Sequence, residues 1–531
     1  MKKLFIFIIL ISTVLLNAKT WVREYTYQAS EADSKLTSRA ISLEQVKRLL
    51  LQEIGVYVHS TILNEEVEVS GELKELTAKQ IEIISAGITE TKIIEENWNG
   101  ETYYIKAEIT ADENDVIKRL DNVIADKEKT KQLEESYRKT EEALAEIERL
   151  KQQLVQTQDE NEKLKIQDKY NQSSNELTAE DWYLKGYNAA EIGEYDNAIL
   201  YFQKSIELYP YAAAYYSIGF IYSKKSNYNK EIEYYQKAIE INPNYTGAYN
   251  NMGVAYGNKS NYNKAIECYQ KAIEINPDFA MAYFNMGLAY MEKGNNDRAI
   301  ECYQKAIKIN SNYAEAYNNI GIAYGNKGNY DKEIEYYQKA INIKPDHAAA
   351  HFNMGNYYGN KDKHNKAIEC YQKAIDINPN NASAYYNMGL DYRSLDNNGK
   401  AIECYQKAIN IKPNNEDAYY NMGIAYYHKG NIDEALECYQ KAIDIKPDDA
   451  EAYYNMGIAY YSKGNSDKTI ECYQKAIEIN PDFAGVYKNI GIVYAKMGNH
   501  DKAIKYYKKA AKLGDKIVQD LLREIGISWE E

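Results

Sequence analysis

The segment AEAYYNMGIAYYSKGNSDKTIECYQKAIEINPDF, residues 450–483, contains two apolar stripes at helical spacing. Apolar side chains recur at intervals of three and four residues, the spacing of one face of an α-helix. The stripes are Tyr453, Met456 and Tyr460, then Ile470, Tyr473 and Ile477. Gly464 separates them and Pro481 follows the second. Because glycine suits a helix C-terminus and proline disfavours helix in the residue before it, the segment predicts two short helices joined by a tight turn.

This helix pair is one copy of a unit that repeats every 34 residues, after a first unit of 33. Ten glycines share one register: Gly186, Gly219, Gly253, Gly287, Gly321, Gly355, Gly389, Gly423, Gly457 and Gly491. All eight prolines share another: Pro210, Pro243, Pro277, Pro345, Pro379, Pro413, Pro447 and Pro481. A single hairpin cannot bury both of its apolar stripes, so stability requires stacked neighbours. The sequence therefore predicts ten stacked units over residues 179–517.

The unit resembles the tetratricopeptide repeat in the placement of its large and small residues. In the third unit the family signature is carried by Tyr249, Gly253, Tyr256, Ala265, Tyr269, Ala272 and Pro277. The resemblance implies a mainly α fold, a right-handed superhelical solenoid of ten helix pairs with a concave groove that binds extended peptides. Together with the N-terminal pattern described below, it is closest in type to exported bacterial members of that family.

Some units depart from the pattern. Glu231 and Glu333 replace a small residue, and the turn glycine is replaced by Ser226, Ser260, Asp362 and Asp396. Residues 516–531 follow the last unit and predict a C-terminal capping helix and tail, with Ile517, Val518, Leu521, Leu522 and Ile525 on one helical face.

The N-terminus has the pattern of a secretory signal. Two lysines precede an apolar run over residues 4–16, and Ala18 is the expected cleavage point. Residues 1–18 therefore predict export to the periplasm, with an uncleaved anchor in the inner membrane as the alternative. The six cysteines do not form an export framework, because they occupy one position of the repeat on separate helices. They are Cys268, Cys302, Cys370, Cys404, Cys438 and Cys472, which we expect to be free thiols.

Three segments separate the signal from the repeats. Residues 19–111 predict a small α+β domain, with helical periodicity followed by a hairpin around Asn99-Gly100. Residues 112–170 are highly charged and predict a long helix. Their heptad pattern is only partly apolar, which leaves open a coiled coil or a single solvated helix. Residues 171–178 are polar and predict a hinge.

Eight asparagines occupy the same first-helix position of successive units, and we call them the asparagine ladder. They are Asn251, Asn285, Asn319, Asn353, Asn387, Asn421, Asn455 and Asn489. The family resemblance implies that this position faces the groove and grips a peptide backbone, since an amide both donates and accepts hydrogen bonds. The alternative is local hydrogen bonding. Aromatic residues beside the ladder predict groove walls or packing between repeats: Phe284, Phe352, Tyr386, Tyr420, Tyr454, Tyr427 and Tyr461.

Charge and motifs exclude several classes of function. Lys+Arg 64 against Asp+Glu 78 gives a net charge of −14, which disfavours nucleic acid. No catalytic constellation or metal-binding motif is present in the sequence, and His347 and His351 are interpreted as core residues. We therefore expect no catalytic residue, no cofactor, no metal and no small-molecule substrate.

The predicted function is a non-enzymatic protein-protein interaction scaffold of the cell envelope, with a protein or peptide segment as partner. One alternative is an oligomeric envelope-assembly or cell-division accessory factor that forms homo-oligomers through residues 112–170, because its layout resembles the cell-division coordinator family. Another is an accessory part of a protein glycosyltransferase system, since similar repeats precede the catalytic region of O-linked N-acetylglucosaminyltransferases.

Overall fold

A computed structural model describes residues 18–30, 33–63, 76–89, 91–124 and 127–529. The predicted signal lies outside these ranges except for Ala18. The chain divides into two compact units, Met1–Ala289 and Tyr290–Glu531. Within the described ranges, no helix is both long and apolar enough to cross a bilayer.

The first unit opens with a three-stranded antiparallel sheet. Strands β1 (Ala18–Gln28) and β2 (Lys92–Trp98) both pair with β3 (Thr102–Asp112), in the order β1-β3-β2. Between β2 and β3, Gly100 has a φ of +100°, which glycine adopts without a Cβ penalty. Alternate residues of β3 are buried, namely Tyr103, Ile105, Ala107 and Ile109.

Two helices complete the core of this region. Helix α1 (Lys35–Leu63) packs on the sheet, and α2 (Ala78–Ile88) packs on α1. The buried side chains of α1 recur every four residues along one face: Val46, Leu50, Ile54, Val58 and Ile62. The strands and helices expected of a small α+β domain are therefore present.

The prediction of one long helix over residues 112–170 is wrong. The segment forms α3 (Glu113–Ile124), α4 (Lys127–Gln156) and the start of α5 (Glu160–Glu191), and α4 packs against α5. The apolar heptad residues have partners inside the chain. One buried cluster joins side chains of α4, α5 and the sheet, and its α4 members are Leu144, Ile147, Leu150 and Leu154. Helix α4 is therefore not a solvated single helix, and these apolar residues are not exposed for a coiled coil with another chain.

The predicted hinge at residues 171–178 also differs from the structure, because it lies inside the uninterrupted helix α5. Two of its polar side chains are buried, and a third forms a hydrogen bond with the helix backbone. Ser173 and Ser174 are buried, and the Thr178 hydroxyl donates to the Ser174 carbonyl at 3.0 Å. Helix α5 therefore joins the N-terminal region to the first repeat without a break.

The repeats are consecutive helix pairs, each stacked on the next within its unit, as the solenoid prediction requires. The C-terminal part of α5 pairs with α6, and later helices pair in order. The first unit contains α6 Tyr195–Leu208, α7 Ala212–Lys224, α8 Tyr228–Ile241, α9 Thr246–Asn258, α10 Tyr262–Ile275 and most of α11 Ala280–Glu292. The second contains α12 Asn296–Ile309, α13 Ala314–Asn326, α14 Tyr330–Ile343, α15 Ala348–Gly359, α16 His364–Ile377, α17 Ala382–Ser394, α18 Asn398–Ile411, α19 Glu416–His428, α20 Ile432–Ile445, α21 Ala450–Ser462, α22 Ser466–Ile479, α23 Ala484–Lys496, α24 His500–Lys512 and α25 Lys516–Glu524.

A close approach between glycine and an aromatic ring sets each hairpin. A Cβ atom on Gly457 of α21 would lie 2.5 Å from Cε1 of Tyr473 in α22. At the turn, Gly464 has a φ of +76°. The four residues that replace this glycine keep the left-handed conformation, with φ from 54° to 57°: Ser226, Ser260, Asp362 and Asp396.

The cysteines are free and buried, as expected from their spacing. Cys472, for example, packs in a cluster with Ala435, Tyr439 and Met456. Burial raises the pKa of each thiol to about 11 or about 12, so these side chains act as small apolar groups.

The predicted capping helix is present as α25, but its buried face is narrower than the sequence suggested. Val518 and Leu522 pack against Ala510 and Ala511. The other three apolar residues of the expected face are exposed: Ile517, Leu521 and Ile525.

Glu231 is an acidic side chain inside a hairpin. It is 1% exposed, and its Oε2 atom has no hydrogen-bond partner among the described residues. Burial raises the pKa of Glu231 to about 7, against a smaller lowering by a hydrogen bond with Ser223. Glu333 is half-buried, and its carboxylate occupies the space that a side chain at Gly325 would fill. The Tyr337 hydroxyl donates to it at 3.3 Å.

Substitution of Gly457 by alanine should destabilise the array by about 1–3 kcal/mol, because the new Cβ meets the Tyr473 ring. Gly257→Ala is the control, since a Cβ there meets nothing within 4 Å and should stabilise helix α9 by about 0.5–1 kcal/mol. Urea midpoints measure both. Equal midpoints for the two variants would contradict the close-approach model.

Glu231→Gln should remove a pH dependence of stability. The folded pKa of Glu231, about 7, lies above its unfolded value, so the folded state holds a proton that the unfolded state has released. Wild-type stability should therefore fall by about 1–3 kcal/mol between about pH 5 and pH 8 relative to the variant. Melting temperatures of both proteins across this range measure the effect, and parallel curves would show that Glu231 ionises normally.

Candidate functional site

Each asparagine of the ladder lies on the first helix of its repeat, at the contact with the preceding repeat. Asn421 is buried, and the other seven are half-buried. Four ladder amides donate to a tyrosine hydroxyl of the preceding repeat. The bonds run from Asn251 to Tyr216 at 2.9 Å, Asn421 to Tyr386 at 3.1 Å, Asn455 to Tyr420 at 2.7 Å and Asn489 to Tyr454 at 3.1 Å.

Where the tyrosine is replaced, the ladder amide bonds to another side chain. In two repeats an asparagine takes the place of the tyrosine and accepts the bond. Asn285 donates to Asn250, and Asn353 donates to Asn318, at 3.0 Å each. Phe352 offers no hydroxyl, and Asn387 donates instead to Oδ1 of Asn356 at 2.8 Å. Asn319 accepts from its neighbour Asn318 at 3.2 Å.

Most ladder amide nitrogens are thus committed to contacts between repeats, and a carbonyl oxygen is the atom left for a ligand. Asn455 illustrates this, because its Nδ2 donates to Tyr420 and to the Glu451 carbonyl while its Oδ1 accepts nothing from the described residues. Peptide binding by the ladder therefore requires a donor from the peptide backbone.

The aromatic residues predicted beside the ladder have contacts within the array. Tyr386, Tyr420 and Tyr454 accept the ladder bonds described above. Phe284 and Phe352 are half-buried, and Phe352 packs against Tyr371 with ring centroids 5.8 Å apart. Tyr427 shares a hydrogen bond with Ser462 at 3.0 Å, and Lys496 lies 4.7 Å from the centre of the Tyr461 ring.

The first unit contains a pocket of 450 Å³ that the sequence reasoning missed. Its apolar wall includes Phe220, which is 40% exposed, and Met281, which is 50% exposed. Tyr216, Asn250 and Asn251 line its polar side. The signal was readable, since no other repeat has a phenylalanine at the position of Phe220 or a methionine at the position of Met281.

Hydrogen bonds fix the amides of this pocket in one orientation. Asn285 donates to Asn250 at 3.0 Å, Asn250 donates to Asn251 at 3.0 Å, and Asn251 donates to the Tyr216 hydroxyl at 2.9 Å. The pocket therefore combines a fixed polar wall with exposed apolar side chains, an arrangement typical of ligand sites.

Other polar groups are used within the fold. His351 Nε2 bonds the Pro345 carbonyl at 2.9 Å, and His347 accepts from the Ala350 N–H. Lys488 pairs with Asp515 at 2.9 Å. In the described part of the chain, no group of three or more His, Cys, Asp or Glu side chains is placed to hold a metal ion.

Family models match the repeats from end to end. A model described as TPR repeat matches residues 258–294, 287–328, 389–430 and 425–464. Models described as tetratricopeptide repeat match 212–245, 348–381, 450–483 and 484–514, then 180–211 and 314–347, then 234–267 and 370–403. Together these matches span residues 180–514, more than half of the chain.

Solved structures with similar repeats include MamA, with 33% identity over 31% of this chain and 96% of that chain, at a TM-score of 0.30. YrrB, described as a TPR protein with an unusual peptide-binding site, is 28% identical over 35% of this chain and 96% of its own, with a TM-score of 0.33. PilF of Pseudomonas aeruginosa is 18% identical over 38% and 92%, with a TM-score of 0.35. No curated protein sequence matches the chain.

Asn455→Ala should lower the free energy of unfolding by about 1 kcal/mol, because the Tyr420 hydroxyl loses its donor between repeats. Asn360→Ala, at an exposed position after α15, is the control and should change stability by less than about 0.5 kcal/mol. Urea unfolding of both variants measures the difference. If Asn455→Ala were neutral, the ladder would not stabilise the stack.

Proposed function

Residues 180–514 belong to the tetratricopeptide repeat family, and on this basis we propose that the chain is a non-enzymatic scaffold that binds an extended segment of a partner protein. The proposal includes export to the cell envelope, which the signal-like pattern of residues 1–18 supports. The matched family models describe the repeat and no catalytic domain.

The pocket of the first unit is the observation that carries this proposal. Its 450 Å³ is within the range of small ligand sites and exceeds what one bulky side chain requires. Exposed apolar side chains such as Phe220 and Met281 gain free energy when a partner covers them. The pocket therefore takes a bulky apolar side chain of the bound segment as its anchor.

The amides beside the pocket suit the backbone of the same segment. Asn250 and Asn251 are held by the bond chain from Asn285 to Tyr216, so their orientation is set before a ligand arrives. Fixed polar groups lose little conformational entropy on binding. A site of this kind recognises a segment by the shape of one apolar side chain and by the backbone beside it.

The alternative of oligomerisation through residues 112–170 gains no support from the fold of α4. The apolar seam of Leu144, Ile147, Leu150 and Leu154 is buried against the chain itself and is therefore not available to a second copy. The accessory role in a glycosyltransferase system likewise has no specific observation in its favour.

Phe220→Ser together with Met281→Ser should weaken peptide binding at least about tenfold, because the apolar anchor loses its wall. The assay selects peptides from a random phage-displayed library on the full chain and measures their affinity by fluorescence polarisation. Leu200→Ser is the matched control, since Leu200 is 48% exposed and lies outside the pocket.

The wild-type chain should select peptides with a bulky apolar residue at a fixed position, and the control should retain them. Circular dichroism checks that each variant folds. Failure of the wild type to select any peptide would refute the scaffold proposal, and equal binding by the double variant would refute the pocket as the anchor.

A further inference from the structure

The second helix of the last repeat, α24, has a charge pattern that the other repeats lack. It contains five lysines, whereas the second helices of the other nine repeats contain between one and three basic residues each. The five are Lys502, Lys505, Lys508, Lys509 and Lys512. This helix is therefore strongly basic in a chain whose net charge is −14.

All five lysines lie on one face of α24, and we call them the lysine stripe. Neighbouring members are three or four residues apart, which places them within an arc of about 120° and along about 15 Å of helix. Four of them are exposed and Lys508 is half-buried. The opposite face packs into the array through Ala503, Ala510 and Ala511, which are buried. The stripe therefore projects away from the core of the repeat.

Two members of the stripe change the charge that the repeat normally has at their positions. Lys505 stands where eight of the other nine repeats have glutamate, and Lys508 stands where all nine have glutamine. Like charges three and four residues apart repel each other and weaken a helix. Stacking of the repeats therefore gives no reason for these two lysines.

The replaced glutamate is an ion-pair partner in other repeats. In helix α14, for example, Lys339 pairs with Glu335 at 2.6 Å. The equivalent residues of α24 are Lys509 and Lys505, so the pair has become a repulsive contact. The lysine stripe consequently carries positive charge on a face that is close to neutral elsewhere in the array.

Acidic residues that follow α24 are paired with other cations. Asp515 pairs with Lys488 at 2.9 Å, and Asp520 of α25 pairs with Arg523 at 2.6 Å. Within the described ranges, no carboxylate lies within ion-pair distance of Lys505 or Lys509. The field of the stripe is therefore available to an anionic partner.

We propose that the lysine stripe is a contact surface for an anionic lipid bilayer. A lysine carries a compact, strongly hydrated charge on a flexible stem, which suits many mobile phosphate groups better than one acceptor of fixed geometry. A helix with four to eight basic residues is attracted to such a surface by about fivefold in affinity for each lysine near it.

The same end of the array also offers apolar contacts. Helix α25 begins three residues after α24 ends, and three of its apolar side chains or those directly following it are exposed: Ile517, Leu521 and Ile525. The interfacial region of a bilayer accommodates basic and apolar side chains together. This combination favours a lipid surface over the acidic surface of a protein.

The acidic remainder of the chain is compatible with this contact. At physiological ionic strength, exposed charges further apart than about 8 Å are largely screened from each other, so the stripe acts on a surface locally. The inference goes beyond the proposed function, because it assigns a second partner and does not depend on the pocket of the first unit.

Co-sedimentation of the full chain with lipid vesicles tests this contact. The wild type should bind vesicles of phosphatidylglycerol and phosphatidylcholine in equal parts at least about tenfold more tightly than vesicles of phosphatidylcholine alone. The neutral vesicles measure any contribution of the apolar N-terminus. Raising sodium chloride to about 0.5 M should abolish the difference, because salt screens exposed charges.

Lys505→Glu combined with Lys508→Gln restores the residues that other repeats carry. It should lower the affinity for the anionic vesicles at least about tenfold. Its melting temperature should stay the same or rise, since an acid four residues before Lys509 restores the ion pair of the other repeats. Lys400→Glu combined with Lys407→Gln is the matched control, because it makes the same charge change at exposed positions of α18 and should keep vesicle binding.

Three results would overturn the lipid contact. One is equal affinity of the wild type and the first double variant for anionic vesicles, and another is a wild type that binds neutral and anionic vesicles equally. The third is a salt-sensitive oligomer of the wild type, seen by sedimentation velocity without vesicles, that this double variant loses while it keeps vesicle binding. That result would assign the stripe to a second copy of the chain. None of these results bears on peptide selection by the pocket of the first unit.

Discussion

The repeats depend on the contact between a first-helix glycine and an aromatic ring of the second helix. In nine repeats a Cβ on this glycine would lie between 2.5 and 2.7 Å from the ring of a tyrosine or phenylalanine, and the Gly457–Tyr473 pair is typical. Because the ring occupies the volume of the missing side chain, the two helices have one closest approach and one register. Everything that lies on the first helices, including the asparagine ladder, is placed by that register.

Hydrogen bonds between repeats depend on this apolar packing. In several repeats the residue before the ladder position is a tyrosine, and its hydroxyl accepts from the ladder amide of the next repeat, as Tyr420 accepts from Asn455. Replacement of such a tyrosine by asparagine keeps an acceptor, since Asn318 accepts from Asn353. Where Phe352 takes this position the acceptor is lost, and the next ladder amide bonds elsewhere. The ladder therefore joins neighbouring repeats, and some of its carbonyl oxygens, such as that of Asn455, accept no bond from the described residues.

The periodic part of the fold was predictable because glycine and proline mark a register of 34 residues directly in the sequence. The packing of the segment before the repeats was not predictable, since helical periodicity shows that a helix has an apolar stripe but not which part of the chain covers it. The seam of α4 shows this, because Ile147 and Leu154 follow a heptad in the sequence but are buried against α5 and the sheet of the same chain. The ladder was located by spacing, but its hydrogen bonds to the preceding repeat depend on distances between helices that local sequence does not encode.

Two departures from the repeat consensus lie two residues apart in the seventh repeat, on helix α17. Asp391 stands where most units have alanine, and it is paired with His364 of the preceding hairpin. Two residues later Arg393 bonds Asn421 of the following hairpin, while the Tyr405 hydroxyl has no counterpart of the bond that Tyr371 forms. The bonds of Asp391 and Arg393 offset the desolvation cost of the two charged groups and join each hairpin to its neighbour, whereas the buried Tyr405 hydroxyl carries its desolvation cost without a compensating bond among the described residues.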